Sequence, residues 1–154
     1  MIRLLNVAAD LFAEELYNKL AAVGLTDIRP GHGCVFGNID PENGSRLTEL
    51  AERANMTKQS VGEVTSDLEE RGYVERVADP NDGRAKVIRL TARGRQAYDT
   101  GRRLIDELEQ EWSEQFGENR VVALREALEV VTAERVGALE PTSTSKTSRD
   151  SIGV

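Results

Sequence analysis

Apolar residues recur at helical spacing through the first two dozen positions, where Leu4, Leu5, Ala8, Leu11, Phe12, Leu16 and Leu20 make one stripe. That stripe predicts an amphipathic helix over residues 2 to about 23. "VGLTDIRPGHG" then breaks the period with Gly24, Pro30, Gly31 and Gly33, and "CVFGNI" has room for only a helical turn before the loop "DPENG". Two short helices should follow. Ser45 is placed as the N-cap of "RLTELAERAN", with Leu47, Leu50 and Ala51 turned inward. Asn55 ends that helix, and Thr57 caps the next, whose inner face is Val61, Val64 and Leu68 and whose C-terminal stop is Gly72. So tight a join between two short helices fits a helix-turn-helix.

The period then changes from helical to alternating. "YVERVA" and "KVIRL" alternate apolar with polar residues around "DPNDG", and Asp82-Gly83 predicts the turn of a β-hairpin. Thr91 caps a long helix through about Phe116, carried by Ala97, Leu104, Leu108, Trp112 and Phe116. After Gly117, "ENRVVALREALEVVTAERV" predicts a last helix. Seven of the ten residues 142 to 151 are Ser or Thr, so a disordered tail is expected over residues 138 to 154. The expected fold class is mainly α with a small β hairpin, one domain over residues 1 to 137. Its winged helix-turn-helix spans 45 to 91, flanked by helices at 2 to 23 and 92 to 137. The apolar stripes of those flanking helices are too wide for the small central module to cover. They predict a partner, and a second copy of the chain is the commonest kind.

Composition narrows the function without naming it. With 39% hydrophobic and 31% charged residues over 154 positions, the chain reads as an ordinary soluble domain whose expected location is the cytoplasm. No apolar run approaches the length of a bilayer span, and the start is a poor signal peptide, carrying acids by its tenth residue. One cysteine and one histidine exclude an intrachain disulfide framework and the usual Cys/His metal clusters, so no cofactor and no metal are expected. The net charge of −7 argues, taken whole, against nucleic acid. Its distribution changes that argument. Residues 45 to 95 hold ten Lys or Arg against nine Asp or Glu, a net +1, and the rest of the chain carries −8.

Position decides more than charge. A helix N-terminus presents free amide donors and a partial positive charge to phosphates. Thr57, Lys58, Gln59 and Ser60 fill such a first turn. Gln59 can pair bidentately with adenine, Ser60 can bond several base edges, and Lys58 can reach phosphate or guanine. Gly62, lacking a side chain one turn on, would permit close approach. At the hairpin, Arg84 is placed at the strand turn, where a guanidinium can enter a minor groove, with Asp82 two residues earlier to orient it by an ion pair. Ser45, Arg46, Thr65 and Lys86 complete the candidate DNA-contacting set. The plain alternative is a capped surface helix and a polar turn.

"LTELAERANMTKQSV", "LEERGYVER" and "DPNDGRAKVIRLTARG" carry a family resemblance. Residues 45 to 95 resemble the core of the MarR family of bacterial winged helix-turn-helix transcription regulators, and with the flanking helices the resemblance extends over roughly residues 2 to 137. It implies a homodimer on a palindromic operator in double-stranded DNA, and often release by a small-molecule effector or an oxidant. It also implies that the helix from Thr57 reads the major groove and that Arg84 probes the minor groove. The chain departs from the common pattern with Glu63 where many relatives are basic, Gly62 in place of a hydroxyl residue, and Gly83 where a first wing Arg often stands.

Family ligands usually lie where the winged module meets the flanking helices, which is where "RPGHGCVF" should fall. His32 and Cys34 are the only residues of their kinds, and a thiolate beside a protonated imidazole would be reactive. The alternative for the pair is a structural histidine and an inert, buried thiol. No paired carboxylates, phosphate loop or oxyanion site point to an enzyme. The competing function is a winged-helix protein-interaction module without DNA binding, to which the net charge and Glu63 point.

Overall fold

The computed structural model describes residues 1–136, so the tail expected from residue 138 lies outside the described residues. In chain order it comprises α1 (Ile2–Ala22), a 3-10 turn (Pro30–His32), α2 (Gly33–Phe36) and β1 (Ser45–Arg46). These are followed by α3 (Leu47–Arg53), α4 (Lys58–Glu70), β2 (Val74–Asp79), β3 (Asp82–Leu90), α5 (Ala92–Phe116) and α6 (Glu118–Val136). The mainly α fold, with a winged helix-turn-helix between long helices, is as the periodicities predict. The sheet differs, having three antiparallel strands in the order β1-β3-β2. Its extra strand has only two residues, Ser45 opposite Ile88 and Arg46 opposite Val87, too few for an alternating pattern to register.

That strand corrects the expectation for Ser45. The N-cap of α3 is Arg46, whose backbone N–H donates to the Glu49 carboxylate at 2.7 Å. Ser45 is buried instead, its hydroxyl accepting from the Asp40 N–H at 3.0 Å and from Arg53 at 3.1 Å. The other caps form where predicted. Thr57 Oγ1 accepts from the Ser60 N–H at 3.1 Å, and Thr91 Oγ1 from the Gly94 N–H at 3.0 Å. Gly72, at φ +74°, takes the left-handed conformation that closes α4, and the next N–H, of Tyr73, returns to the Leu68 carbonyl at 2.9 Å.

The core of the winged module gathers Val35 from α2, Leu50 from α3, Val61 and Leu68 from α4, and Ile88 from β3 around Tyr73, which is fully buried. The Phe36 ring meets the Tyr73 ring edge-on at 5.9 Å. Away from this core, α1 packs on the far half of α5 through an aromatic run, Phe12 to Trp112 at 5.1 Å and Trp112 to Phe116 at 5.8 Å. Trp112 Nε1 donates to Glu15 at 3.0 Å, and Lys19 pairs with Glu111 at 2.7 Å. α6 folds back along α5, held by the Arg125–Glu109 ion pair. Much apolar surface on these outer helices stays in water, including Ile2, Leu4 and Leu11 of α1 and Leu128, Val130 and Val131 of α6.

The start of α5 is fitted against the end of α4 by a glycine. A Cβ built on Gly94 would lie 1.8 Å from the Tyr73 carbonyl oxygen and 2.8 Å from its carbon. Both obstacles are backbone, so neither can swing away. Gly94→Ala is expected to cost more than the roughly 1 to 3 kcal/mol typical of overpacking, despite the better helix propensity of Ala. Urea unfolding of the variant measures it, and a loss below about 0.5 kcal/mol would contradict this close fit.

Candidate nucleic-acid interface

The first two turns of α4 turn three side chains fully outward, Lys58, Gln59 and Glu63. Ser60 is half-buried, its hydroxyl 2.8 Å from Thr57 Oγ1, and so it is partly committed to the cap. Two expectations need correcting here. Thr65 is fully buried and its hydroxyl donates to the Val61 carbonyl at 2.7 Å, so it does not face outward to bases. Three to four residues past the inner Val61, the helical period returns position 65 to the core. Gly62 turns toward α3, where a Cβ would meet Leu47 Cδ2 at 3.6 Å, so its small size opens no outward approach.

The wing is also shifted from its expected place. Asp79 pairs with Asp82, so the two-residue turn is Pro80-Asn81, and Gly83 lies inside β3 without a positive φ. Asp79 shapes this turn. Its Oδ1 accepts from the Asn81 N–H at 2.8 Å and its Oδ2 from Arg46 Nε at 2.7 Å. Those contacts, the backbone one first, hold its carboxyl below the usual carboxylate range. Arg46 is thereby committed to fastening the wing to β1. Asp82 makes the analogous turn contact with the backbone N–H of Arg84 at 3.1 Å, and no ion pair joins their side chains among the described residues. The expected charge orientation of Arg84 is replaced by a backbone one. Asp79 was missed because an Asx turn needs only an Asp two residues before its donor, a pattern "DPND" offers at more than one place.

Pairing sorts the cations of the module. Arg71 is matched to Asp67, Arg76 to Glu69, Arg93 to Asp27, and Arg95 to Glu42 and Asp99. Arg46 is held by Asp79, while Arg53 and Arg89 donate to the backbone carbonyls of Asn38 and Asn43. Among the described residues, Lys58, Arg84 and Lys86 have no carboxylate or carbonyl partner, and each is exposed. The free positive charge therefore collects at the first turn of α4 and on β3 beside the hairpin turn. Those are the two points a near-neutral segment needs for a groove-reading surface.

A sequence profile of the MarR family matches residues 23–85, from just after α1 into β3. That match spans 63 of the chain's 154 residues, and the fold of those residues is a winged helix. Solved structures agree on the fold. The reduced form of MarR from E. coli superposes with a TM-score of 0.70 at 23% identity, covering 85% of this chain and 95% of that one. The S. aureus MepR–DNA complex gives 0.68 at 22%, over 86% and 96%. CouR from Rhodococcus jostii RHA1, bound to p-coumaroyl-CoA, gives 0.68 at 23%, over 83% and 88%. At these identities the likeness is one of fold. No curated protein sequence matches the chain.

In this winged module the segment from Pro30 to Phe36 bridges α1 and α4, as expected for "RPGHGCVF". Tyr17 of α1 donates to the Pro30 carbonyl at 3.1 Å. His32 is buried, and both of its nitrogens are used. Nδ1 accepts from the Arg29 N–H at 3.0 Å, so Nε2 carries the proton and donates to Asp67 of α4 at 2.7 Å. Burial pushes the Cys34 thiol up from its ordinary value, and the thiol donates to the Gly31 carbonyl at 3.2 Å. These are the contacts of a structural histidine and a protonated thiol, not of an activated pair.

Asp67 is the joint of this linkage. The Arg71 guanidinium, followed by His32, draws its carboxyl down to about 2. The folded value lies below the unfolded one of about 3.9, so this contribution to stability is complete above about pH 4 and is lost as pH falls toward 2. Asp67→Asn is expected to lower the unfolding midpoint at pH 6. It should also flatten the decline between pH 4 and 2, as read by urea titrations at each pH. A variant that keeps the full acid decline would show that other carboxyls carry it.

Proposed function

We propose that the chain is a transcription regulator, a repressor that binds a palindromic operator in duplex DNA as a homodimer. In each half-site the first turn of α4 enters the major groove and Arg84 of the wing reaches the adjoining minor groove. The observation that carries this reading is the location of the unpaired cations. Seven of the ten basic residues of the module are tied to acceptors within the described chain, and the three that are free are Lys58, Arg84 and Lys86. Neutralised elsewhere, the module has its positive charge where phosphates and a minor groove would meet it. The MepR structure with DNA supports the same assignment by fold.

The exposed apolar surface of α1 and α6 supports the homodimer, since a stripe of this width in water predicts a partner. Sedimentation equilibrium should return twice the chain mass. A monomer at micromolar concentration would overturn the homodimer. A small molecule binding where Pro30–Phe36 meets α1 and α4 is the effector reading best matched to the fold, and CouR shows a ligand-bound relative of that fold. The raised Cys34 thiol gives oxidation at this residue no support.

The net charge of −7 favours the second reading, an interaction module that does not touch DNA. Selection from random duplexes decides between the two. A DNA reader enriches a palindrome and loses affinity steeply with salt, because phosphate contacts release counterions. Arg84→Ala should then weaken the selected operator by roughly 1 to 3 kcal/mol, and Lys58→Ala should weaken all sequences alike and lower the salt slope by about 1. No enrichment, with affinity indifferent to salt, would leave the interaction module standing.

A further inference from the structure

An acid on the groove-facing side of a DNA-reading helix is the feature that charge complementarity does not explain. Glu63 lies one turn after Gln59 on the exposed face of α4 and is the only acid in its first two turns. Several other carboxylates of the module are engaged by the chain. Asp67, Glu69 and Asp79 are paired with arginines, and Glu49 caps α3. Among the described residues Glu63 has one partner, the amide of Gln59, whose Nε2 donates to Glu63 Oε1 at 3.3 Å.

We infer that Gln59 and Glu63 form a single base-reading unit in which Glu63 is the specificity-determining residue, selecting cytosine beside an adenine. The inference rests on the proposed DNA-binding function and names what that surface reads. Its chemistry follows from counting donors. An ionised carboxylate only accepts, and in the major groove the donors are the amino groups of cytosine and adenine. Guanine N7 and O6 and thymine O4 are acceptors and repel it. Gln59, giving one N–H to Glu63, has its amide turned in a fixed sense and keeps one N–H and its carbonyl free. A remaining donor beside an acceptor is the pattern that matches adenine N7 and N6. The pair thus presents acceptor, donor and acceptor in a row along the helix. This calls for a cytosine within a step or two of an adenine. The same carboxylate weakens binding to phosphate generally, so it trades affinity for discrimination.

The test is selection from random duplexes by the full chain and by Glu63→Gln, Glu63→Ala and Gln59→Ala. Position 63 is exposed and outside the core, and thermal midpoints of the variants report that they fold. The wild-type half-site should contain a cytosine next to an adenine, preferred over other bases by about tenfold. Glu63→Gln and Glu63→Ala should lose the cytosine preference, keep the rest of the palindrome, and bind unselected DNA more tightly. Gln59→Ala should lose the adenine and also weaken the cytosine preference, because the two side chains act together. If both Glu63 variants bind all DNA more tightly but return an unchanged consensus, Glu63 is only an electrostatic brake and the inference fails while the regulator stands. If the wild type enriches nothing at any salt, the regulator reading fails and this one with it.

Discussion

The burial of Tyr73 is the constraint around which the winged module is assembled. Its ring is fully enclosed, with Phe36 against its edge and the Arg93 guanidinium 4.3 Å above its face. A phenol so placed needs a partner for its hydroxyl, and it donates to Asp27 at 2.6 Å. That bond is the largest influence holding the Asp27 carboxyl below its usual range, with Arg93 adding to it. The backbone of the same residue is equally occupied. Its N–H finishes α4 on Leu68, and its carbonyl accepts from the Thr91 N–H at 3.1 Å where β3 passes into α5. One residue therefore joins the segment after α1, the end of α4, the sheet and the start of α5. Gly94 has no side chain because that junction leaves no room for one.

The network spreading from Tyr73 also determines which charges face outward. Arg71, Arg93 and Asp67 lie within it, and Arg76 and Arg46 are used to pin β2 to α4 and the wing to β1. Each of these pairs is at least partly exposed, so each adds little stability by itself. Their collective effect is to cancel charge over the body of the module. Lys58, Arg84 and Lys86 are what that cancellation leaves unmatched, at two places, in a protein whose net charge is negative.

Most of the fold was legible in the sequence because most of it is local. The termini of α1, α4, α5 and α6 follow from stripe period, threonine caps and glycine stops, each a matter of a few neighbouring residues. What failed was non-local or ambiguous in register. Ser45 looked like a helix cap, yet a two-residue strand pairing with Ile88, more than forty residues on, claims it and buries its hydroxyl. Asp82-Gly83 is the stronger turn dipeptide, but the register of β2 against β3 puts the turn at Pro80-Asn81. Thr65, a candidate DNA contact, is buried. A threonine can satisfy its hydroxyl on the carbonyl four residues back, so its polarity carries no information about its face. Of the candidate contacts, Lys58, Gln59, Arg84 and Lys86 are exposed as expected, and Ser45 and Thr65 are not.

The same network limits how α4 can move. Asp67 of α4 holds His32 of the segment after α1 with one oxygen, and Arg71 of α4 with the same oxygen at 2.9 Å. Arg71 reaches the Asp27 carbonyl at 3.4 Å, and Arg93 of α5 closes the circuit on Asp27 and on the Arg71 carbonyl. A rotation of α4 relative to α5 must break several of these bonds together, and the His32 ring, buried with both nitrogens used, cannot readily exchange partners with water. Small shifts are therefore resisted, and a shift large enough to re-aim α4 would be a discrete rearrangement rather than a gradual tilt. The base reading proposed for Gln59 and Glu63 would depend on that stiffness, since a side-chain pair discriminates only while its helix is held in one orientation.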